Sequence, residues 1–131
     1  MIKNFKNWFH KKRQTENKKI SVQYKKREIF WTRIGENIGF EQDGKGNDFL
    51  RPVLIFRKFN SHVFWGIPLT TSIQKNGKFY FKFNACGKKQ NAILSQIRLF
   101  DAKRLEEKIG MIAIDDFKSL EKAIQKLLDD F

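Results

Sequence analysis

Arg51-Pro52-Val53-Leu54-Ile55-Phe56-Arg57-Lys58-Phe59 is followed, after Asn60-Ser61-His62, by Val63-Phe64-Trp65-Gly66-Ile67-Pro68-Leu69. Both runs are rich in β-branched and aromatic residues and are separated by polar turn residues, the pattern of paired strands. The same composition predicts further strands over Glu28–Ile34, Phe79–Phe83 and Ala92–Leu99. Phe79, Phe81 and Phe83 alternate with Tyr80 and Lys82, which assigns the three rings to one core-facing side of a strand. Asn76-Gly77 is the dipeptide favoured in tight hairpins, because both central residues need positive φ; Asn60-Ser61 and Cys86-Gly87 are weaker turn signals. Towards the C-terminus, a helical turn near Ala102–Glu107 and a strand over Lys108–Ile112 precede a helix. Asp115 is its predicted N-cap, Asp116 suits its first turn, and Phe117, Leu120, Ile124, Leu127 and Leu128 recur at helical spacing. Many short strands closed by one helix predict a mainly β (α+β) fold: a small, strongly bent antiparallel barrel with a C-terminal helix.

The segment Gly35–Asp48 is too rich in glycine and charge to be a buried strand and too long for a plain turn, so it reads as a mobile, functional loop. Its Gly44-Lys45-Gly46 lacks the Ser or Thr and the following helix of a phosphate-binding loop. The chain has 131 residues, 40% of them hydrophobic and 14 of them Phe, enough for one core. Its single cysteine, Cys86, cannot form an intrachain disulfide, and with only His10 and His62 it falls short of a structural zinc site. These features, with no apolar run approaching a membrane span and no signal-like segment, lead us to expect a cytoplasmic protein with no cofactor, metal or membrane partner.

The formal charge is +13, and residues 1–26 carry nine basic side chains against the single acid Glu16. A field of that sign favours polyanions. We divide the chain into a basic N-terminal extension, residues 1–26, and a domain over 27–131. The extension mixes lysines with Asn, Gln, Ser and Thr, which suits a flexible arm adding electrostatic affinity; alternatively Ile2, Phe5, Trp8 and Phe9 dock on the barrel as a structural helix, or lie on a membrane surface. No Ser/His/Asp set, metal-ligand cluster or nucleotide fingerprint is present. The acidic pairs Glu106/Glu107, Asp115/Asp116 and Asp129/Asp130 read as solvated faces or helix caps.

A more specific signal comes from several short segments in order. Arg27 to Trp31, then Gly39-Phe40-Glu41-Gln42, then Arg51-Pro52-Val53-Leu54-Ile55 resembles the opening of the MazF/PemK toxin family. Ile67-Pro68-Leu69-Thr70 resembles the family's second active-site strand. Ile93-Leu94-Ser95-Gln96-Ile97-Arg98-Leu99-Phe100-Asp101, with Arg104-Leu105 and Lys108-Ile109-Gly110, resembles its Gln-Ile-Arg segment and the turn after it.

The resemblance implies an SH3-like barrel, a homodimer, and the toxin half of a type II toxin-antitoxin system with an acidic antitoxin partner. It also implies metal-independent cleavage of single-stranded RNA (an mRNA interferase), leaving a 2′,3′-cyclic phosphate and a 5′-hydroxyl. Arg51 and Thr70 match the family's two main active-site positions; Glu41, Gln42, Lys45, Thr71, Gln96 and Arg98 are candidates for contact with RNA or for loop roles. These residue types fit the chemistry: an Arg fork meets phosphate oxygens through two parallel hydrogen bonds, and a hydroxyl holds the reacting groups in line. Several family members carry an acid where this chain has Ser95, which cannot serve as a base at neutral pH, so either another group such as Glu41 on the loop takes the proton, or Arg51 and Thr70 suffice, or this copy is slow. Two other functions use the same architecture: a non-catalytic nucleic-acid-binding barrel, and a gyrase-targeting toxin acting by protein contact.

Overall fold

The computed structural model describes residues 3–19, 22–46 and 48–130. In chain order the elements are α1 (Phe5–Glu16), β1 (Glu28–Arg33), β2 (Leu50–Lys58), β3 (Val63–Thr70), β4 (Tyr80–Ala85), β5 (Lys88–Ile93), β6 (Arg98–Asp101), β7 (Leu105–Met111) and α2 (Ile114–Asp129). The strands form one antiparallel sheet in the order β4-β5-β3-β2-β1-β7, with β6 also on β3. The predicted mainly β architecture is present, but β4 and β7 do not pair, so the barrel is an open, bent sheet.

The bend has a local cause. On one edge of β3, Val63–Gly66 pairs with β6, while Leu69 and Thr70 pair with β5. The opposite edge pairs with β2, with a register shift between Ile55 and Arg57 that twists the sheet. The single strand expected over Ala92–Leu99 is therefore two. Leu94–Gln96 forms a 3-10 turn whose buried Leu94 anchors the chain as it passes from one half of the β3 edge to the other.

Both faces of the sheet are buried, which explains why Val53–Phe56 is continuously apolar. On one face Ile29, Leu54, Ile67, Leu69 and Phe83 pack with Phe117 and Leu120 of α2. On the other, Phe30, Val53, Ile55, Phe64, Phe100 and Leu105 surround Tyr24. The three alternating Phe rings are graded in burial: Phe83 is buried, Phe81 half-buried and Phe79 exposed, because β4 is an edge strand that reaches the core only beside α2. Helix α2 begins one residue before Asp115. Ala113 occupies the cap position without a side-chain hydrogen bond, and Asp115 and Asp116 sit in the first turn.

The turns also differ from expectation. Gly77 has φ +109°, but Asn76-Gly77 does not close a hairpin, since β5 lies between β3 and β4 in the sheet. The tight hairpin is at Cys86-Gly87, where φ is +57° and +75° and Ala85 pairs with Lys88. Asn60 Oδ1 accepts from the His62 and Val63 amides and shapes the β2–β3 turn.

The extension is not a free arm over its described length. Asn4 caps α1 by accepting from the Asn7 amide, and the helix docks through Trp8, which is buried against Phe49 with ring centroids 5.4 Å apart. Phe5 and Phe9 remain exposed, and Ile2 lies outside the described residues. Among the described residues no helix is long and apolar enough to cross a membrane.

Candidate active site

Continuing the β2–β3 register by two residues from Val53↔Pro68 places Arg51 opposite Thr70. On its other side Arg51 pairs with Thr32 of β1, so its side chain rises from the middle of the sheet. The residue is only 6% exposed. Burial pushes its guanidinium below the ordinary Arg value, and Asp43 opposes that shift.

Three groups fix the guanidinium. Nε donates to the Asp43 carbonyl at 2.6 Å and Nη1 to the Leu69 carbonyl at 3.1 Å. The Gln42 amide lies against the same group and, in the orientation that satisfies both, its oxygen accepts from Nη2 at 2.6 Å, from Nε at 3.0 Å and from Nη1 at 3.3 Å. Of the five N–H bonds of an arginine, one on Nη2 remains without a partner. A charged N–H of this kind is a strong donor to a phosphate oxygen.

Arg51 and Thr70 line a groove of about 590 Å³ together with Lys45, Thr71, Trp31 and Lys88. Thr70 ends β3 half-buried, and its Oγ1 accepts from the Ser72 amide at 3.2 Å while its own proton stays available. The remaining predicted residues, Glu41, Gln42, Gln96 and Arg98, line a neighbouring groove of about 400 Å³ with Ser95. The two clusters meet at Gln42, whose side chain faces Arg51 and whose amide donates to Gln96 Oε1 at 3.4 Å. Glu41 is turned to its own loop, accepting from the Ile38 amide.

Sequence reasoning missed several groups. Asp48 and Glu107 bring carboxylates to the Arg51 groove. Asp48 is paired with Lys11 and Arg33, whereas Glu107 makes no ion pair among the described residues. Gln90 is fully buried at the groove wall with Oε1 unpartnered, and Asn91 beneath the 71–78 loop holds the Ser72 and Lys75 carbonyls. Asp43 acts through its backbone carbonyl, which no side-chain pattern announces.

The loop over residues 35–48 is a non-strand segment as expected, but it is closely tied. The Gly44 amide donates to the Gly35 carbonyl, the Asn37 amide to Asp43 Oδ1, and Lys45 bridges to Leu50. Among the described residues no three His, Cys, Asp or Glu side chains cluster as metal ligands.

The bent sheet with its closing helix is that of small toxin domains. The fold matches a crystal structure of MazF (Form-I) from Deinococcus radiodurans with a TM-score of 0.69, at 19% identity over 82% of this chain and 98% of that one. It also matches the Mycobacterium tuberculosis toxin MazF-mt6 with a TM-score of 0.60, at 17% identity over 79% and 97%. No curated protein matches the sequence. Residues 25–128 match the profile of the PemK-like, MazF-like toxins of type II toxin-antitoxin systems, and the chain belongs to that family.

Proposed function

We propose that this toxin is a metal-independent endoribonuclease that cuts single-stranded RNA, mRNA included, in the groove between Arg51 and Thr70. The observation that carries the reading is the buried Arg51, lining the groove beside Thr70 and held by Asp43, Gln42 and Leu69 with an Nη2 N–H left over. In the reaction the ribose 2′-oxygen attacks the adjacent phosphorus and the bond to the 5′-oxygen breaks. The products are a 2′,3′-cyclic phosphate and a 5′-hydroxyl, the latter protonated from solvent.

Negative charge grows on the non-bridging oxygens, where the Arg51 guanidinium would stabilise it; Thr70 Oγ1–H would hold the phosphate in line. Glu107, which lines the groove without a cationic partner among the described residues, would take the 2′-proton in the absence of an acid at Ser95. Lys45, Thr71, Gln96 and Arg98 would contact the flanking nucleotides. Residues 27–131 form the toxin domain in this reading, acting in the cytoplasm, and residues 1–26 extend it.

An acidic antitoxin would hold the toxin inactive, complementing its charge of +13. A homodimer is supported by the exposed patch of Phe59, Trp65 and Leu99, where Phe59 and Trp65 stack edge to face and Trp65 and Leu99 are cross-strand neighbours. The reading is tested by the ends it makes. Mass spectrometry of a cut RNA oligonucleotide should show the cyclic phosphate and the 5′-hydroxyl, in EDTA as without it; a 5′-phosphate product would exclude the mechanism.

A further inference from the structure

The N-terminal segment precedes the residues that match the family, yet Lys3, just before the cap of α1, reaches the groups that hold Arg51. Lys3 Nζ donates to the Asn37 carbonyl at 2.6 Å and the Gly39 carbonyl at 3.1 Å, and pairs with Asp43 Oδ2 at 3.1 Å. All three ammonium protons are thereby used. Asp43 is the junction of two links: its carboxylate takes Lys3 and the Asn37 amide, while its carbonyl takes Arg51 Nε. Asn37 in turn donates from Nδ2 to the Gln42 carbonyl at 2.8 Å, tying the second Arg51 partner to the same knot.

Two more contacts secure the loop at its ends. Trp8 lies on Gly35, where a Cβ would fall 2.0 Å from the indole, and Lys11 pairs with Asp48 at the groove mouth at 3.2 Å. The Lys3–Asp43 pair is largely screened from solvent, with side-chain exposures of 21% and 26%. Without Lys3, the partly buried Asp43 carboxylate would lose its one ion-pair partner among the described residues, and the loop would reorient to hydrate it.

We infer that the N-terminal segment, Lys3 together with the docked helix α1 that follows it, is a positioning strap in which Lys3, acting through Asp43, sets the orientation of the Arg51 guanidinium. This rests on the ribonuclease reading for its kinetic consequence, but the structural link can be measured by itself. Lys3 touches no reacting atom. Its effect should fall on turnover, since a small displacement of a pre-organised group costs up to about 10²-fold in rate. Loss of one lysine from a chain of net charge +13 should barely change RNA affinity.

The test uses the full-length protein with Lys3→Met, Asp43→Asn, the double variant, and Lys6→Ala as an exposed lysine in the first turn of α1. Single-turnover cleavage and amide hydrogen exchange at Asn37 and Gly44 are followed together. Lys3→Met should lower kcat by about tenfold or more with KM nearly unchanged, and speed exchange at both amides. The double variant should be no slower than Asp43→Asn alone, and Lys6→Ala should match wild type. Lys3→Met with wild-type kcat and protected amides would overturn the strap, as would a rise in KM shared equally with Lys6→Ala. Should Lys3→Met fail to fold, Asp43→Asn reads the link from its other end: unchanged exchange at Asn37 and Gly44 would overturn it. If the wild-type protein cuts no RNA, the ribonuclease reading falls, and exchange alone decides whether Lys3 holds the loop.

Discussion

Arg51 shows how a charged residue can sit in the interior of a sheet. Its burial is costly unless its N–H groups are answered, and here three acceptors answer most of the fork at the wall of the groove. Gln42 has the most exposed share of that work. Replacing it by Ala should lower cleavage by about tenfold while leaving thermal unfolding nearly unchanged; an activity equal to wild type would show that the Asp43 and Leu69 carbonyls suffice. Cys86 offers an independent check on local burial. Burial pushes its thiol up while Lys88 pulls it down, so the thiolate fraction near pH 8 is smaller than in an unfolded chain. Alkylation should be slower in the native protein than in denaturant, and equal rates would contradict the packing of this hairpin against Gly110. Arg51 and Thr70 were legible in the sequence because the segments around them resemble a family. Asp43, Gln90 and Glu107 were not, because a backbone carbonyl, an unpartnered buried amide and an unpaired carboxylate differ from their solvated counterparts only once the chain is folded.

Among the elements, β3 decides the shape of the sheet by pairing with β5 and β6 on one edge. Gly66 makes this possible: a Cβ there would meet Val53 Cγ1 at 2.6 Å and the Phe100 ring at 2.8 Å. Gly66→Ala should destabilise the protein by about 1–3 kcal/mol through overpacking, measured by urea unfolding; a change below about 0.5 kcal/mol would mean that the β2–β3–β6 contact yields easily. Strand identity was readable wherever apolar runs were continuous, as in Val53–Phe56 and Val63–Leu69. It failed over Ala92–Leu99, where one apolar run serves two positions on the same β3 edge. The hairpin was misplaced for a similar reason. Asn76-Gly77 has the better turn sequence, but pairing is decided by which strands neighbour each other in the sheet, and Cys86 accepts a positive φ to close β4 onto β5.

At the scale of the whole molecule, charge and packing assign different tasks to the two ends. The lysine-rich extension could be read from composition as a solvated arm. Its one tryptophan, packed on Phe49 and Gly35, instead docks α1 against residues 27–131. Removing residues 1–26 should therefore lower the unfolding midpoint as well as weaken RNA binding, and an unchanged midpoint would restore the free-arm reading. Sedimentation should give the mass of two chains at micromolar concentration; an active monomer would contradict the proposed dimer. Whether the buried Arg51 supplies the charge stabilisation for RNA cleavage is decided by the cleavage rate of Arg51→Ala on a single-stranded RNA in EDTA. A loss of about 10²- to 10³-fold relative to wild type under the same conditions is expected. Cleavage by the variant at the wild-type rate would contradict it.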